Sequence, residues 1–248
     1  MTSSLVPPQA SAAAGSPALV HDLARRRELG PALAAWHDVP GPGTLVCGPR
    51  GHVLAPEHTL RDATRVRWAA GWSDRASLTE TECTPVAVAG AGVHALRLTG
   101  PMPEEPPGSS AREDHAAVAQ GLLWLRLGLS RALLDSCLSY LEGRTTGGVP
   151  LLRQQLVRGA VADGLMEQLE IESALLAWAP EPGCRETAEA ALHDQLTRAD
   201  RGLVRLLGAG GFTCDEAGCT AYVSELLADA YSGATAEPLA AERGGDSA

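Results

Sequence analysis

The sequence contains no lysine, no asparagine and a single isoleucine, Ile171; all 20 of its basic residues are arginine. The scarce residues share AT-rich codons, so the bias points to a GC-rich, actinobacterial genome and carries no information about activity. No apolar run is long enough to span a bilayer, and the first residues lack a basic-then-apolar export pattern. A cytoplasmic protein that does not engage a membrane is expected. Positive charge is short overall: 30 acidic side chains give the 248 residues a net charge of -10. That balance excludes non-specific binding to nucleic acid or to anionic lipid. The cysteines at 47, 83, 137, 184, 214 and 219 are scattered, as reduced thiols are in a chain without an export signal. Cys214 and Cys219 have no neighbouring Cys or His to complete a tetrahedral set, so no metal site is expected. The histidines form no i,i+4 pair and no Ser-His-Asp pattern.

What is present divides the chain into four parts. Residues 1–17, rich in Ser, Ala and Pro, read as a disordered N-terminus. Residues 18–108 read as a small mixed helix and strand region. Leu19, Val20, Leu23, Leu29, Leu33 and Trp36 follow helical spacing, interrupted at Gly30-Pro31. Thr44–Val46 with His52–Leu54, and Thr84–Ala89 with Val93–Leu98, have the texture of two hairpins. Arg61 to Trp72 is ambiguous between helix and strand. Four prolines between Pro101 and Gly108 make a linker. Residues 109–234 read as a four-helix bundle, and 235–248 as a flexible tail. The first long helix, capped by Ser110, points Val118, Leu122, Leu125, Leu129, Leu133, Cys137 and Tyr140 inward. The second, from about Pro150 to Trp178, is expected to do so with Leu152, Leu156, Val161, Leu165, Leu169 and Leu176. The third and fourth span about Arg185–Leu207 and Ala217–Tyr231.

Three motifs in this helical half carry a family resemblance. Tyr140, Arg144, Gly148, Pro150 and Gln155 stand in register with a helix-to-helix segment of the acyl-CoA dehydrogenases. Gly128-Leu-Ser-Arg-Ala-Leu-Leu-Asp135 is similar to the run preceding that segment. Leu207-Gly-Ala-Gly-Gly-Phe-Thr213 is similar to the family's glycine-rich turn. The resemblance covers residues 111 to 234. It implies a mainly α fold, with an acyl-CoA-dehydrogenase-like C-terminal four-helix bundle preceded by a small mixed α/β region. It also implies a flavoprotein acting on a CH–CH bond of an acyl thioester. FAD is the implied cofactor, contacted across a subunit boundary by Arg144, Gln155, Gly208 and Gly211. The chemistry suits those residues: a guanidinium fork matches phosphate oxygens, and glycine lets backbone N–H groups approach an anion. Singly, each also has a plain structural reading as a helix cap, a helix end or an exposed polar side chain.

Several family features depart from the pattern. Gly147 and Gln154 replace two phenylalanines, and Arg205 replaces a glutamine. About 110 residues precede the bundle, fewer than the family's first two domains require. Tyr231-Ser232-Gly-Ala-Thr235 has serine where many members carry the glutamate that removes the α-proton. Glu167, Glu170 and Glu172 are the alternative candidates for that base, although the pattern favours reading them as a solvated or interface-facing acidic stripe. The expected partners are an acyl thioester and other subunits, either further copies of this chain or a full-length acyl-CoA dehydrogenase. A non-catalytic subunit that completes a partner's flavin site, or a flavin-free member reused for a non-redox reaction, is the alternative function.

Overall fold

The computed structural model describes residues 15–101, 103, 109–179, 183–208 and 216–232. The expected disorder of residues 1–14, the tail at 235–248, and Gly211, Thr213 and Cys214 lie outside this set. Helix α1 (Pro17–Arg25) starts early because the Ser16 hydroxyl accepts from the Leu19 N–H and Pro17 takes the first helical position. Helix α2 (Leu29–His37) follows a break at Arg26–Glu28, where Arg27 adopts φ +64°. The break is therefore not at Gly30-Pro31: Pro31 lies in the first turn of α2, where a missing N–H leaves no bond unmade.

The strands are β1 (Thr44–Val46), β2 (His52–Pro56), β3 (Arg65–Arg67), β4 (Trp72–Asp74), β5 (Thr79–Glu82) and β6 (Val93–Thr99). Helix α3 (Glu57–Asp62) follows β2, and the short α4 (Val86–Ala89) precedes β6. Neither expected hairpin forms. β1 pairs in parallel with β3, which pairs with β4; β2 pairs antiparallel with β6, which pairs with β5. His37 explains the first correction. Its buried ring accepts the Val46 N–H at 2.8 Å and bonds the Leu54 carbonyl at 2.9 Å, so it stands between β1 and β2. The Leu54 N–H is taken by the Tyr231 hydroxyl at 2.6 Å. In the second case the Thr84 hydroxyl accepts the Ala95 N–H at 3.0 Å, and Pro85, which has no N–H, opens a helix rather than a strand.

The C-terminal half is built from α5 (Ser109–Glu142), α6 (Gln155–Leu176), α7 (Arg185–Leu206) and α8 (Glu216–Tyr231). Helix α5 starts at Ser109, so the expected cap Ser110 is already helical. Contacts set an up-down-up-down order: Leu123 and Leu127 of α5 meet Ile171 and Leu175 at the end of α6, and Leu203 near the end of α7 meets Leu133, Leu134 and Cys137. Helix α5 is enclosed on all sides, with Leu122, Leu123, Leu125, Leu127, Leu129 and Leu133 all buried. Gly128 permits this: a Cβ there would sit 2.4 Å from the His21 carbonyl of α1. Two further residues of its motif also tie helices together. Arg131 bonds Glu172 of α6 at 2.8 Å, and Asp135 bonds Arg25 of α1 at 3.4 Å. No helix among the described residues is long and apolar enough to cross a membrane.

Helix α6 corrects the expected inward stripe. Gly164, Gln168, Ile171 and Leu175 face the bundle, whereas Leu156 is 89 % exposed, Leu176 75 %, Met166 58 % and Leu169 46 %. Leu165 also lies on the exposed side; only Leu152 and Val161 of the expected set pack inward. The inward face is partly polar because it joins a buried network. Gln168 donates to both the carbonyl and the hydroxyl of Ser130 at 2.9 Å. Asp200 of α7, whose carboxyl lies near Ser130, accepts from Ser224 of α8 at 2.9 Å. Arg126 of α5 donates to Ser224 at 3.2 Å, to Thr197 at 2.9 Å, and to the carbonyl of His193 at 3.2 Å. Arg126, Ser130, Gln168, Asp200 and Ser224 are fully buried. One network thus links all four helices.

Removing the cation strands the acid. Arg126→Met should lower stability by about 3–5 kcal/mol, because it leaves the buried Asp200 without the nearby positive charge and Thr197 and Ser224 without their donor. Adding Asp200→Asn should recover part of that loss. Urea unfolding of the single and double variants checks both; an Arg126→Met protein of unchanged stability contradicts the assignment.

Candidate functional site

The upper end of the bundle meets the strands around a cavity of about 230 Å³. The β region contributes Val46, Cys47, Arg67 and Trp68, and α2 contributes Trp36. His115 and Val118 come from α5, Glu186, Glu189 and His193 from α7, and Tyr231 with Ser232 from the end of α8. Its walls are mostly aromatic and aliphatic. Tyr231 meets Trp36 edge-on at 4.7 Å, and its hydroxyl is held by Leu54.

The polar groups of this cavity differ in what they can do. Arg67 is buried and donates to the carbonyls of Trp68 and Gly71. Burial pushes the Cys47 thiol up to about 12, which leaves it unreactive. Burial, aided by the Arg126 charge, lowers His193 to about 3, so its ring is neutral beside that guanidinium. His115 is lowered by burial and by the charge of Arg67. Burial also pushes the Tyr231 phenol up. Glu189 is different: burial lifts its carboxyl to about 7, with Glu186 adding to the rise and Arg185 opposing it. Its Oε1 is sealed from solvent and receives no hydrogen bond from the described residues.

Ser232, the residue standing where the family resemblance places a glutamate, does line this cavity. Its hydroxyl donates to the Ala228 carbonyl at 2.8 Å. Glu167, Glu170 and Glu172 do not line it. Glu172 is bound by Arg131, and Glu170 accepts from Gln195 at 3.1 Å. Sequence reasoning missed Glu189, Arg67 and His115. For Glu189 a signal existed: it shares the inward helical stripe of Leu192, His193, Leu196 and Leu203, and an acid on such a stripe is costly to bury.

The expected cofactor residues lie at the other end of the bundle. Val118 at the cavity and Leu141 near that end are roughly 35 Å apart along α5, at about 1.5 Å of rise per residue. There Thr145–Thr146 (β7) and Val149–Pro150 (β8) form a small hairpin. Gly147 and Gly148 turn it at φ +61° and +78°, as a two-residue turn with both residues left-handed requires. Pro150 therefore closes a hairpin instead of opening α6, and Gln155 is the first residue of that helix rather than one turn along it. Arg144 stacks over the Tyr140 ring at 4.4 Å, and its carbonyl accepts the Leu151 N–H at 2.8 Å. Gly208 ends α7 at φ +57°, open to solvent. Arg144, Gln155 and Gly208 are all exposed at this one end, and Gly211 lies outside the described residues. Beside them runs an open groove lined by Leu152, Arg153, Arg158, Val161 and Leu165.

The chain matches no protein-family model and no curated protein. Its fold is that of the acyl-CoA dehydrogenases. Butyryl-CoA dehydrogenase from Megasphaera elsdenii superposes with a TM-score of 0.61 at 13% identity, over 86% of this chain and 76% of that one. The Tcur3481-Tcur3483 steroid ACAD, a variant, gives 0.53 at 19% identity over 77% of this chain. A glutaryl-CoA dehydrogenase from Mycobacterium smegmatis, in complex with FADH2, gives 0.50 at 15% identity over 76%. This chain spans only 59% and 57% of the length of the last two.

A carboxyl whose folded pKa is raised from 4.5 to about 7 keeps its proton longer in the native state. Its effect on stability is therefore lost progressively as pH rises through that window, and stays lost above it. Glu189→Gln should gain stability relative to the native chain between pH about 4.5 and 7. Urea unfolding across that range measures the difference; one that is flat with pH contradicts the assignment.

Proposed function

We propose that this chain is a subunit of an acyl-CoA-dehydrogenase-like flavoprotein that acts on a CH–CH bond of an acyl thioester. The observation that carries the reading is the separation of two sets of residues on one fold. The upper cavity, at about 230 Å³, suits an acyl chain but is smaller than the roughly 300–1,000 Å³ of a complete small-molecule site. Arg144, Gln155 and Gly208 supply the donors a pyrophosphate needs, and they lie at the opposite end of α5. A single dinucleotide does not reach both ends. Two chains, arranged so that the lower end of one meets the upper end of the other, put both sets on one cofactor.

The residues fit FAD in that divided sense. Arg144, held by the Tyr140 ring and by the Leu151 N–H, presents its guanidinium outward to a phosphate. Gly208 and Gly211 are assigned to the close backbone approach, and Gln155 to the adenosine half. Bound there, FAD supplies a hydride acceptor for the carbon β to the thioester. The chain's own part is to exclude water with Trp36, Trp68 and Tyr231, and to hold the acyl chain against Val118 and Leu122. The exposed apolar residues of α6 support assembly, because a stripe of Leu165, Met166, Leu169 and Leu176 is what a subunit contact buries.

Ser232 favours a second reading. With serine on the cavity wall, this chain completes the flavin site of a full-length partner and leaves the oxidation to it.

Under the first reading the purified chain is an oligomer, and it is yellow or becomes so when FAD is added. Arg144→Ala should weaken FAD binding at least tenfold, in keeping with the loss of a charge-assisted hydrogen bond worth about 1.5–3 kcal/mol. Leu169→Arg should shift the oligomer to monomer in sedimentation and release the flavin with it. A native protein that takes up no FAD, alone or with a partner, contradicts both readings.

A further inference from the structure

We propose that Glu189 is the proton acceptor of the upper cavity, removing the hydrogen from the carbon next to the thioester carbonyl. The inference rests on the reading of that cavity as an acyl site. It assigns the base to the first turns of α7 instead of to the end of α8 or to α6.

Elimination within the cavity leaves few alternatives. The Tyr231 hydroxyl is committed to Leu54, and the Ser232 hydroxyl donates to Ala228. His193 lies against Arg126 with its ring nitrogen 2.8 Å from the guanidinium. Glu186 is exposed. Glu189 faces inward from the same stripe as Leu192 and Leu196, and its Oε1 is both sealed from solvent and without a hydrogen bond from the described residues. An unbonded carboxylate oxygen in such a place is costly in a purely structural role. The carboxyl as a whole lines the cavity from a half-buried side chain, and it is suited to accept a proton from a carbon acid, which makes no strong hydrogen bond beforehand. The same burial holds the carboxyl at about 7, where an acceptor is half ionised and still basic enough to take a proton.

The step is balanced without a redox partner. The bond between the α-carbon and its hydrogen breaks, and the proton passes to the Glu189 carboxylate. The electron pair moves into the thioester carbonyl as an enolate, with the buried guanidinium of Arg67 supplying positive charge in the same cavity. Without a hydride acceptor the enolate recovers a proton from Glu189, and because only one oxygen of this half-buried side chain is sealed, the carboxyl proton exchanges with solvent through the rest of the group.

That return path provides the test. The full chain is incubated in D2O with butyryl-CoA, a probe chosen for the small cavity, and the α-hydrogens are followed by NMR. Binding is read separately by saturation transfer from protein to the acyl chain. The native protein should wash deuterium into the α-position. Glu189→Gln should bind the thioester equally and exchange it about 10²–10⁴-fold more slowly, the usual contribution of a general base. Glu189→Asp should restore part of the rate, and Glu170→Gln, whose carboxyl lies outside the cavity on Gln195, should stay within a few-fold of native. Exchange at the native rate in Glu189→Gln overturns the proposal, as does a collapse confined to Glu170→Gln. Binding without exchange in the native protein also overturns it while leaving the acyl site standing. Absence of binding removes the acyl-site reading itself, and the proposal with it.

Discussion

Arg126 is sealed from solvent in the middle of the longest helix, and the bundle is arranged around satisfying it. A guanidinium cannot give up its charge, so every donor must find an acceptor inside the fold. Thr197, Ser224 and His193 provide these, and Asp200 balances the charge through Ser224. Because these acceptors sit on α7 and α8, while Ser130 and Gln168 extend the chain to α6, the network fixes how far each helix can slide along α5. A shift of one residue breaks several bonds at once. The positions of the two ends follow: the cavity above and the hairpin with Arg144 and Gly208 below are held at a fixed separation by the same polar core.

The long helices were legible because their apolar residues recur at helical spacing and because Pro and Gly bound them. Helix α7 runs over Arg185–Leu206 and α8 over Glu216–Tyr231, close to the limits that periodicity indicates. Which face turns inward was not legible for α6. Its leucines recur as an inward stripe does, but the true inward face carries Gly164, where α6 packs against Leu203, and Gln168, where it bonds Ser130. Strand pairing was hidden for a related reason. His37 and Tyr231, distant in sequence, occupy backbone groups of β1 and β2, and no local pattern records that.

The candidate site was read in halves. Arg144, Gln155 and Gly208 belong to motifs and could be named from the sequence. The cavity could not, because Arg67, His115, Glu189 and Ser232 come from four separate elements that only the packing brings together. Ser232 was found by its motif and does face the cavity, yet the carboxyl that stands there belongs to another helix. Ser232 stands at the end of α8 and Glu189 on α7, so the two are brought to one cavity by packing and by no shared motif.

The central claim is that one working site draws its cavity from one chain and its phosphate contacts from another. Co-expression of two differently tagged forms of the chain, one carrying Arg144→Ala and the other Glu189→Gln, tests it directly. Each variant alone should fail to oxidise an acyl thioester in the presence of FAD and an electron acceptor. Mixed oligomers isolated through both tags should recover turnover, because in each of them one site combines a native Arg144 with a native Glu189. Mixed oligomers no more active than either parent would contradict the shared site.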